Sequence, residues 1–275
     1  MSVSVNNNPG ALIALQNLTS TETQLQKTQN EISTGLAIST PADDGAIWAI
    51  AQNQRATAAW PDSVTQSLQR AQSTIDVATS AGQSVSDLLT QLKSKALAAS
   101  DTSLDTASRA ALNADFTSLR NQISTVVGNA SFNGANLISA SAKNLYALAD
   151  SSGTSPLTVA AENLSLGGSN VTLSATASIS TATLAQSAIS TIQSSITNVN
   201  NALAKFGTAE NALTSQQTLV ANLQDTIDTG VGNLVNANLA KESAQLQALQ
   251  TKQQLGIQAL SIANSSSSSL LSLFR

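Results

Sequence analysis

The 275-residue sequence contains no cysteine and no histidine. Without cysteine there is no disulfide, no thiol nucleophile and no thiolate metal site. Without histidine there is no Ser-His-Asp triad and no imidazole ligand. Aromatic residues make up 3 % of the chain and charged residues 10 %, where an ordinary domain is about one-quarter charged. The formal net charge is −4, the wrong sign for a nucleic-acid binder, which needs a basic stripe. Uninterrupted apolar runs are only a few residues long, so no membrane span is expected. Met1 to Asn6 shows no basic stretch leading into an apolar one, so no Sec signal peptide is expected.

What fills the chain is Ser, Thr, Asn and Gln, about two-fifths of all residues, with Leu, Ile, Val and Ala in a regular order. Leu18, Leu25 and Ile32 recur every seven residues, with Leu15 and Leu36 beside them. A second track runs Val64, Leu68, Ala71, Ile75, Ala78, Gly82, Val85, Leu89, Leu92, Ala96, Ala99, and only Gly82 is a weak member. Leu112, Phe116, Leu119, Ile123 and Val126 form a third. The longest runs from Ile189 through Ile192, Ile196, Val199, Leu203, Phe206, Leu213, Val220, Ile227 and Val231 to Leu234. A last stretch carries Leu239, Leu246, Leu249 and Leu260. Steps of three and four sustained over such lengths are a coiled-coil pattern. At about 1.5 Å per residue, the track from Ile189 to Leu234 spans about 70 Å, which predicts a rod rather than a globule.

Breaks separate the tracks. Thr40-Pro41-Ala42-Asp43 reads as a helix start, with Thr40 as cap and Pro41 in the first turn. Pro61 cannot sit inside a helix without a cost of about 3 kcal/mol. It therefore predicts one helix from about Ala42 to Ala59, a break at Trp60, and a second helix from Pro61 or Asp62 to about Ala99. Ser100 to Ser103 is a polar turn, and Gly128 to Gly134 ends the next helix. The region from about 137 to 182 differs. Short alternating runs at Tyr146–Ala149, Leu157–Ala160, Leu164–Leu166 and Val171–Leu173, split by turn residues, predict two small hairpins. The chain thus goes out as helices, passes a β island and returns as helices, which predicts termini that lie together.

Few residues invite a chemical reading. Asp43 and Asp44 are adjacent acids, but no ligand cluster accompanies them, and capping is the simpler role. Gly167-Gly168 is followed by no Lys-Ser or Lys-Thr, so it reads as a turn and not a phosphate loop. Neither a catalytic group, nor a cofactor site, nor a metal site is predicted. The terminal stripes are narrow, and two such helices alone would bury little surface and be marginal.

Several motifs point to a family. Ile32-Ser-Thr-Gly35-Leu36-Ala-Ile38 followed by Asp43-Asp44-Gly45-Ala46 resembles the N-terminal motif of bacterial flagellins. So does the turn Ser131-Phe132-Asn133-Gly134. The C-terminal run from Leu239 to Leu246, the stretch from Gln253 to Asn264, and the ending Leu270 to Arg275 are similar to the flagellin C-terminus. The resemblance covers about 1–135 and 185–275, and the short middle is like that of alphaproteobacterial flagellins.

This resemblance implies a mainly α fold: a long antiparallel helical hairpin or coiled-coil rod, with a small β-hairpin region mid-chain. It implies an inner coiled-coil domain from 1–40 and 235–275, and an outer helical rod domain from 41–234 holding the β region at about 137–182. It implies that Leu15, Leu18, Leu25, Ile32, Leu36, Leu239, Leu246, Leu249, Leu260, Leu271 and Phe274 face other subunits, and that the ends order only on assembly. The implied function is a structural subunit of the flagellar filament; the alternative is a hook–filament junction or other axial protein. Implied partners are further copies, alone or with other flagellins, an export chaperone, the filament cap and junction proteins. No membrane or nucleic acid is expected among them, and export runs through the flagellar channel. Related flagellins carry sugars on Ser and Thr of the central region. That implies O-glycosylation among Ser151, Ser152, Thr154, Ser155, Ser169 and Thr172, on a stretch with almost no charge. Finally, the positions that the flagellin-sensing receptor reads are here Gln91, Ser94 and Lys95, which implies weak recognition.

Overall fold

The computed structural model describes residues 8–272, with side chains through residue 265. Among the described residues there are six α-helices and one two-stranded sheet. In chain order these are α1 (Pro9–Thr34), α2 (Gly45–Thr57), α3 (Trp60–Ala99), α4 (Thr106–Asn129), β1 (Leu145–Ala147), β2 (Leu157–Val159), α5 (Ala182–Val235) and α6 (Leu239–Ser272). The chain divides into two compact units, one of residues 1–58 and 225–275, the other of residues 59–224.

The larger unit is built on α3. Every member of the track from Val64 to Ala99 is buried, Gly82 included. A strict three-four spacing keeps these residues on one face for the whole helix. The partner across that face is α5. Ser86 Oγ donates to Asn200 Oδ1 at 3.4 Å, and Lys93 Nζ to Gln193 Oε1 at 2.5 Å, so the two helices run antiparallel. Ile192, Val199, Ala202, Phe206, Leu213 and Val220 of α5 close the core from that side. Helix α4 adds Phe116, Ile123 and Val127. It starts at the cap Asp105, whose carboxylate accepts from Ser108 N at 2.8 Å.

Residues 130–181 lie against these helices mostly as loops. Strands β1 and β2 pair antiparallel, with Leu145 opposite Val159 and Ala147 opposite Leu157. Ala147 and Val159 face the core, and Tyr146 and Thr158 face out. This is the first predicted hairpin. The second is absent. Leu164, Val171 and Leu173 are all buried, but no strand forms there, and the segment bonds to α5 at Thr172 instead. Its N–H donates to Ser195 Oγ of α5 at 3.1 Å. The Phe132–Ala135 turn bonds in both directions at 2.9 Å, with Asn133 and Gly134 at φ of 48° and 79°. Two positive φ values in a row are the signature of a type I′ turn, which an Asn-Gly pair adopts readily.

Trp60 packs on the core of this unit. The interruption falls two residues earlier than expected, at Ala58–Ala59 between α2 and α3. Pro61 then occupies the first turn of α3, where no N–H is required of it.

The smaller unit pairs the two ends of the chain. Helix α1 is capped by Asn8, whose side chain accepts from Ala11 N at 3.1 Å, and it stops at Gly35 with φ 71°. Helix α6 runs antiparallel to it. Asn8 Nδ2 donates to the Ala263 carbonyl at 2.8 Å, and Gln245 Nε2 to Thr28 Oγ1 at 3.4 Å. The two terminal helices thus lie side by side, with Asn8 beside Ala263, in keeping with the out-and-back topology. Beyond Gly35 the backbone pairs with the end of α5: Ala37 N donates to the Val235 carbonyl at 2.7 Å, and Ala237 N to the Gly35 carbonyl at 2.9 Å. Ala51 of α2 packs with Val231 and Val235 in a small core of its own.

The expected helix start at Thr40 is corrected. The cap of α2 is Asp44, which accepts from Ala46 N at 3.0 Å and Ile47 N at 3.1 Å. Residues 40–43 form a turn instead. Asp43 Oδ2 accepts from the backbone N–H and the hydroxyl of both Thr40 and Ser39. These bonds, led by the Thr40 N–H, hold its carboxyl below the usual range. A carboxylate collecting four donors stabilises a turn better than a threonine starts a helix there.

The abundant Ser and Thr are accommodated within the helices. Thr21, Thr23, Thr74, Thr90, Thr191 and Ser195 are among those whose hydroxyls donate to the carbonyl four residues back. Such local bonds satisfy the hydroxyls without a tertiary partner.

Candidate functional site

Among the described residues no three acidic side chains gather as a metal site would require. Nor is any described helix long and apolar enough to cross a membrane. Asp43 and Asp44 are absorbed by the turn and the cap. The distinctive surface of the smaller unit is apolar instead, and it lies on α1 and α6.

The predicted subunit-facing residues divide in two. Leu249 is buried, and Leu18, Leu25, Ile32, Leu36, Leu246 and Leu260 are half-buried. They lie on the paired helices or beside the 35–38 segment. Helix α6 comes so close at Gly256 that an added Cβ would lie 3.3 Å from Leu18 Cδ1. Leu15 and Leu239 instead remain about half exposed. The Leu271 side chain and all of Phe274 lie outside the described residues.

Period reading missed a second set. Leu12, Ile13, Leu255, Ile257 and Ile262 are 54–69 % exposed. They fall out of phase with the seven-residue track. The signal was present, as large apolar side chains with no place in the heptad of an otherwise polar helix. Five such side chains on one helix pair are more than the isolated exposed apolar residues of an ordinary surface.

The six hydroxyl residues lie at two loops. Ser151, Ser152, Thr154 and Ser155 are exposed between β1 and β2. There Asp150 Oδ1 accepts from Ser152 N at 3.0 Å and Gly153 N at 2.6 Å, and Ser152 and Thr154 share a 2.6 Å hydroxyl contact. Ser169 is exposed at the second loop, while the Thr172 hydroxyl lies 3.2 Å from that of the buried Ser195. Gln91 and Ser94 are exposed on α3, and Lys95 Nζ is paired to Asp115 Oδ2 of α4 at 2.7 Å.

Two family descriptions match the chain and cover the helices at both of its ends. The bacterial flagellin N-terminal helical region matches residues 5–143, and the bacterial flagellin C-terminal helical region matches residues 189–274. The chain belongs to the bacterial flagellin family. It is 56 % identical over 272 residues to flagellin FljM of Caulobacter vibrioides, covering 99 % of this chain and 98 % of that one. It is 34 % identical over 282 residues to a flagellin of Brucella melitensis, covering 99 % of each. The structure also resembles that of a Bacillus cereus flagellin, with a TM-score of 0.50 and 20 % identity over 56 % of this chain and 88 % of that one. That likeness bears on the fold alone. Membership makes the chain a structural subunit that self-associates into the extracellular flagellar filament. A junction or other axial role is not favoured by these matches.

Proposed function

We propose that assembly runs through the smaller unit, with residues 1–40 and 235–275 as an inner coiled-coil domain packed against other copies and residues 41–234 as an outer helical domain. The observation that supports this is the apolar surface that α1 and α6 leave uncovered by each other, led by Ile262 at 69 % and Leu12 and Ile13 at 60 % exposure. Fully burying a Leu or Ile contributes about 1.5–3 kcal/mol, so several such residues suffice to favour a polymer over its subunits. Leu15 and Leu239 join this contact. Leu18, Leu25, Ile32, Leu36, Leu246, Leu249 and Leu260 set the helix pair that presents it.

In this reading the protein catalyses no reaction. The export chaperone, the filament cap and the junction proteins are its partners besides further copies. It leaves the cell through the flagellar channel. O-glycans are added in the loops that hold Ser151, Ser152, Thr154, Ser155, Ser169 and Thr172. A near-neutral surface repeated along a polymer has little charge to oppose bundling, and sugar supplies hydration.

The test is a double substitution, Leu12→Ser with Ile262→Ser, in the full chain. The expected result is a folded protein by circular dichroism that stays monomeric, where the parent forms tubes in negative-stain microscopy. Tubes of unchanged yield would refute the assignment. Intact mass spectrometry of filament from the native organism tests the glycans: extra mass mapped to 139–183 is expected, and a bare mass ends that part of the reading.

A further inference from the structure

One charged contact in the smaller unit has the wrong sign for a helix pair. The register that places Gln245 on Thr28 places Glu242 opposite Glu31, three residues along each antiparallel helix. Both acids are well covered: Glu242 is 9 % exposed and the Glu31 side chain 15 %. Two carboxylates cannot share a desolvated contact when both are charged, but one proton turns the repulsion into a hydrogen bond. We propose that Glu31 and Glu242 form a proton-operated latch between α1 and α6, closed when the pair holds one proton and strained when it holds none.

The surroundings decide where the proton sits and whether another charge quenches the effect. Glu242 lies in the first turn of α6, behind the cap Asn238, whose side chain accepts from Lys241 N at 3.2 Å. Negative charge is favoured at that end of a helix, so the proton falls to Glu31. The Glu31 carboxyl is held above the usual range, first by burial and then by the hydrogen bond and charge of Glu242. Lys27 on α1 is the nearest cation, at 3.8 Å, and its side chain is 58 % exposed. Water screens it too well to neutralise the pair. Asp43, from the 39–43 turn, adds further negative charge and favours the protonated state. Lys241 on α6 is exposed and has no ion pair with either acid.

The direction follows from linkage. A carboxyl whose pKa is raised on folding stabilises the folded pairing below its ordinary pKa, and the gain is lost as pH rises through the raised value. The α1–α6 pair is therefore tightest in mild acid and loosens towards neutrality. Asp43 acts in the opposite sense, since its lowered pKa costs stability only as pH falls through that lower value. The two windows do not overlap.

This inference rests on the assembly reading above, because α1 and α6 carry the proposed contact between copies. The test is the critical concentration for polymerisation of the full chain, measured by sedimentation between about pH 5 and about pH 8, the range above the ordinary carboxyl pKa. For wild type it should rise about two- to tenfold across that range, as one modestly raised pKa allows. Glu31→Gln should abolish most of the rise and polymerise at neutral pH as readily as wild type does in acid. Glu242→Gln should do the same, and it serves if the first variant loses its helical circular dichroism. Glu22→Gln, an exposed acid on α1, should leave the wild-type slope unchanged. Equal slopes in wild type, Glu31→Gln and Glu242→Gln would overturn the latch while leaving the assembly reading intact. A wild-type chain that forms no polymer at any pH would overturn both.

Discussion

Leu203 of α5 sits over Gly82 of α3 so closely that a Cβ on Gly82 would lie 2.6 Å from Leu203 Cδ2. Leu164 Cδ1 would be 3.4 Å away. The weak member of the α3 track is therefore a place where a side chain of α5 fills the room a Cβ would take. Two effects oppose each other there. Alanine is about 1 kcal/mol better than glycine inside a helix, and overpacking costs about 1–3 kcal/mol. The clash falls on the end of a half-buried, flexible side chain, which can turn aside. Gly82→Ala should change stability by less than about 1 kcal/mol. Gly82→Leu has no such relief and should destabilise by about 2–3 kcal/mol. Chemical unfolding of the two variants checks this, and a Gly82→Leu protein as stable as wild type would contradict the packing.

A second prediction concerns the one buried acid of the larger unit. Glu162 is 10 % exposed at its side chain, accepts from Lys205 Nζ at 2.7 Å and from Asn170 Nδ2 at 3.1 Å. Its backbone N–H donates to the Leu137 carbonyl at 2.9 Å. Lys205→Ala removes the cation paired with it. Because the lysine end is 66 % exposed, water replaces part of the loss, and the cost should be about 1–2 kcal/mol, below that of a fully buried pair. Glu162→Gln combined with Lys205→Ala should recover part of it. A double-mutant cycle by urea unfolding measures the coupling.

Acid should act on the entrance to α4. Asp101 and Asp105 have carboxyls held below the usual range, chiefly by the backbone N–H of Ser103 and of Ser108 respectively. A lowered folded-state pKa stabilises above the ordinary value near 3.8 and is lost as pH falls through the lowered one. Thermal stability should therefore decline in that acid window. The decline should be shallower in Asp105→Asn, which keeps a capping oxygen without the titrating charge. Calorimetry across the window decides it.

The terminal helices should be protected only by neighbours. They carry few charges, and α1 and α6 cover each other while leaving Leu12, Ile13, Leu255 and Ile262 exposed. Hydrogen exchange over 9–34 and 239–265 should be fast in the monomer and slow in the polymer. The α3 track, closed by its own unit, should be slow in both. Equal protection of the ends in both states would contradict an assembly role for these helices.

The sequence by itself determined the helices of the core and the interruption before Trp60. A seven-residue repeat names a buried face without any knowledge of the partner, so the track from Val64 to Ala99 emerged entire. Pro61 marks an interruption because a missing N–H is a local fact. The family was also legible, because its motifs at both ends are contiguous residues. Tertiary structure alone decided the rest. Whether Thr40 or Asp44 caps α2 depended on which oxygen met more donors once the 39–43 turn closed. That Val171–Leu173 lies against α5, with the Thr172 N–H on Ser195 more than twenty residues away, had no local signal. The fate of the terminal leucines was open because a periodic stripe gives a direction and not an occupant; α6 came against Leu18 and left Leu15 half exposed. The meeting of Glu31 with Glu242 had no local signal, because the two acids lie at opposite ends of the chain and only the antiparallel register of α1 and α6 brings them together.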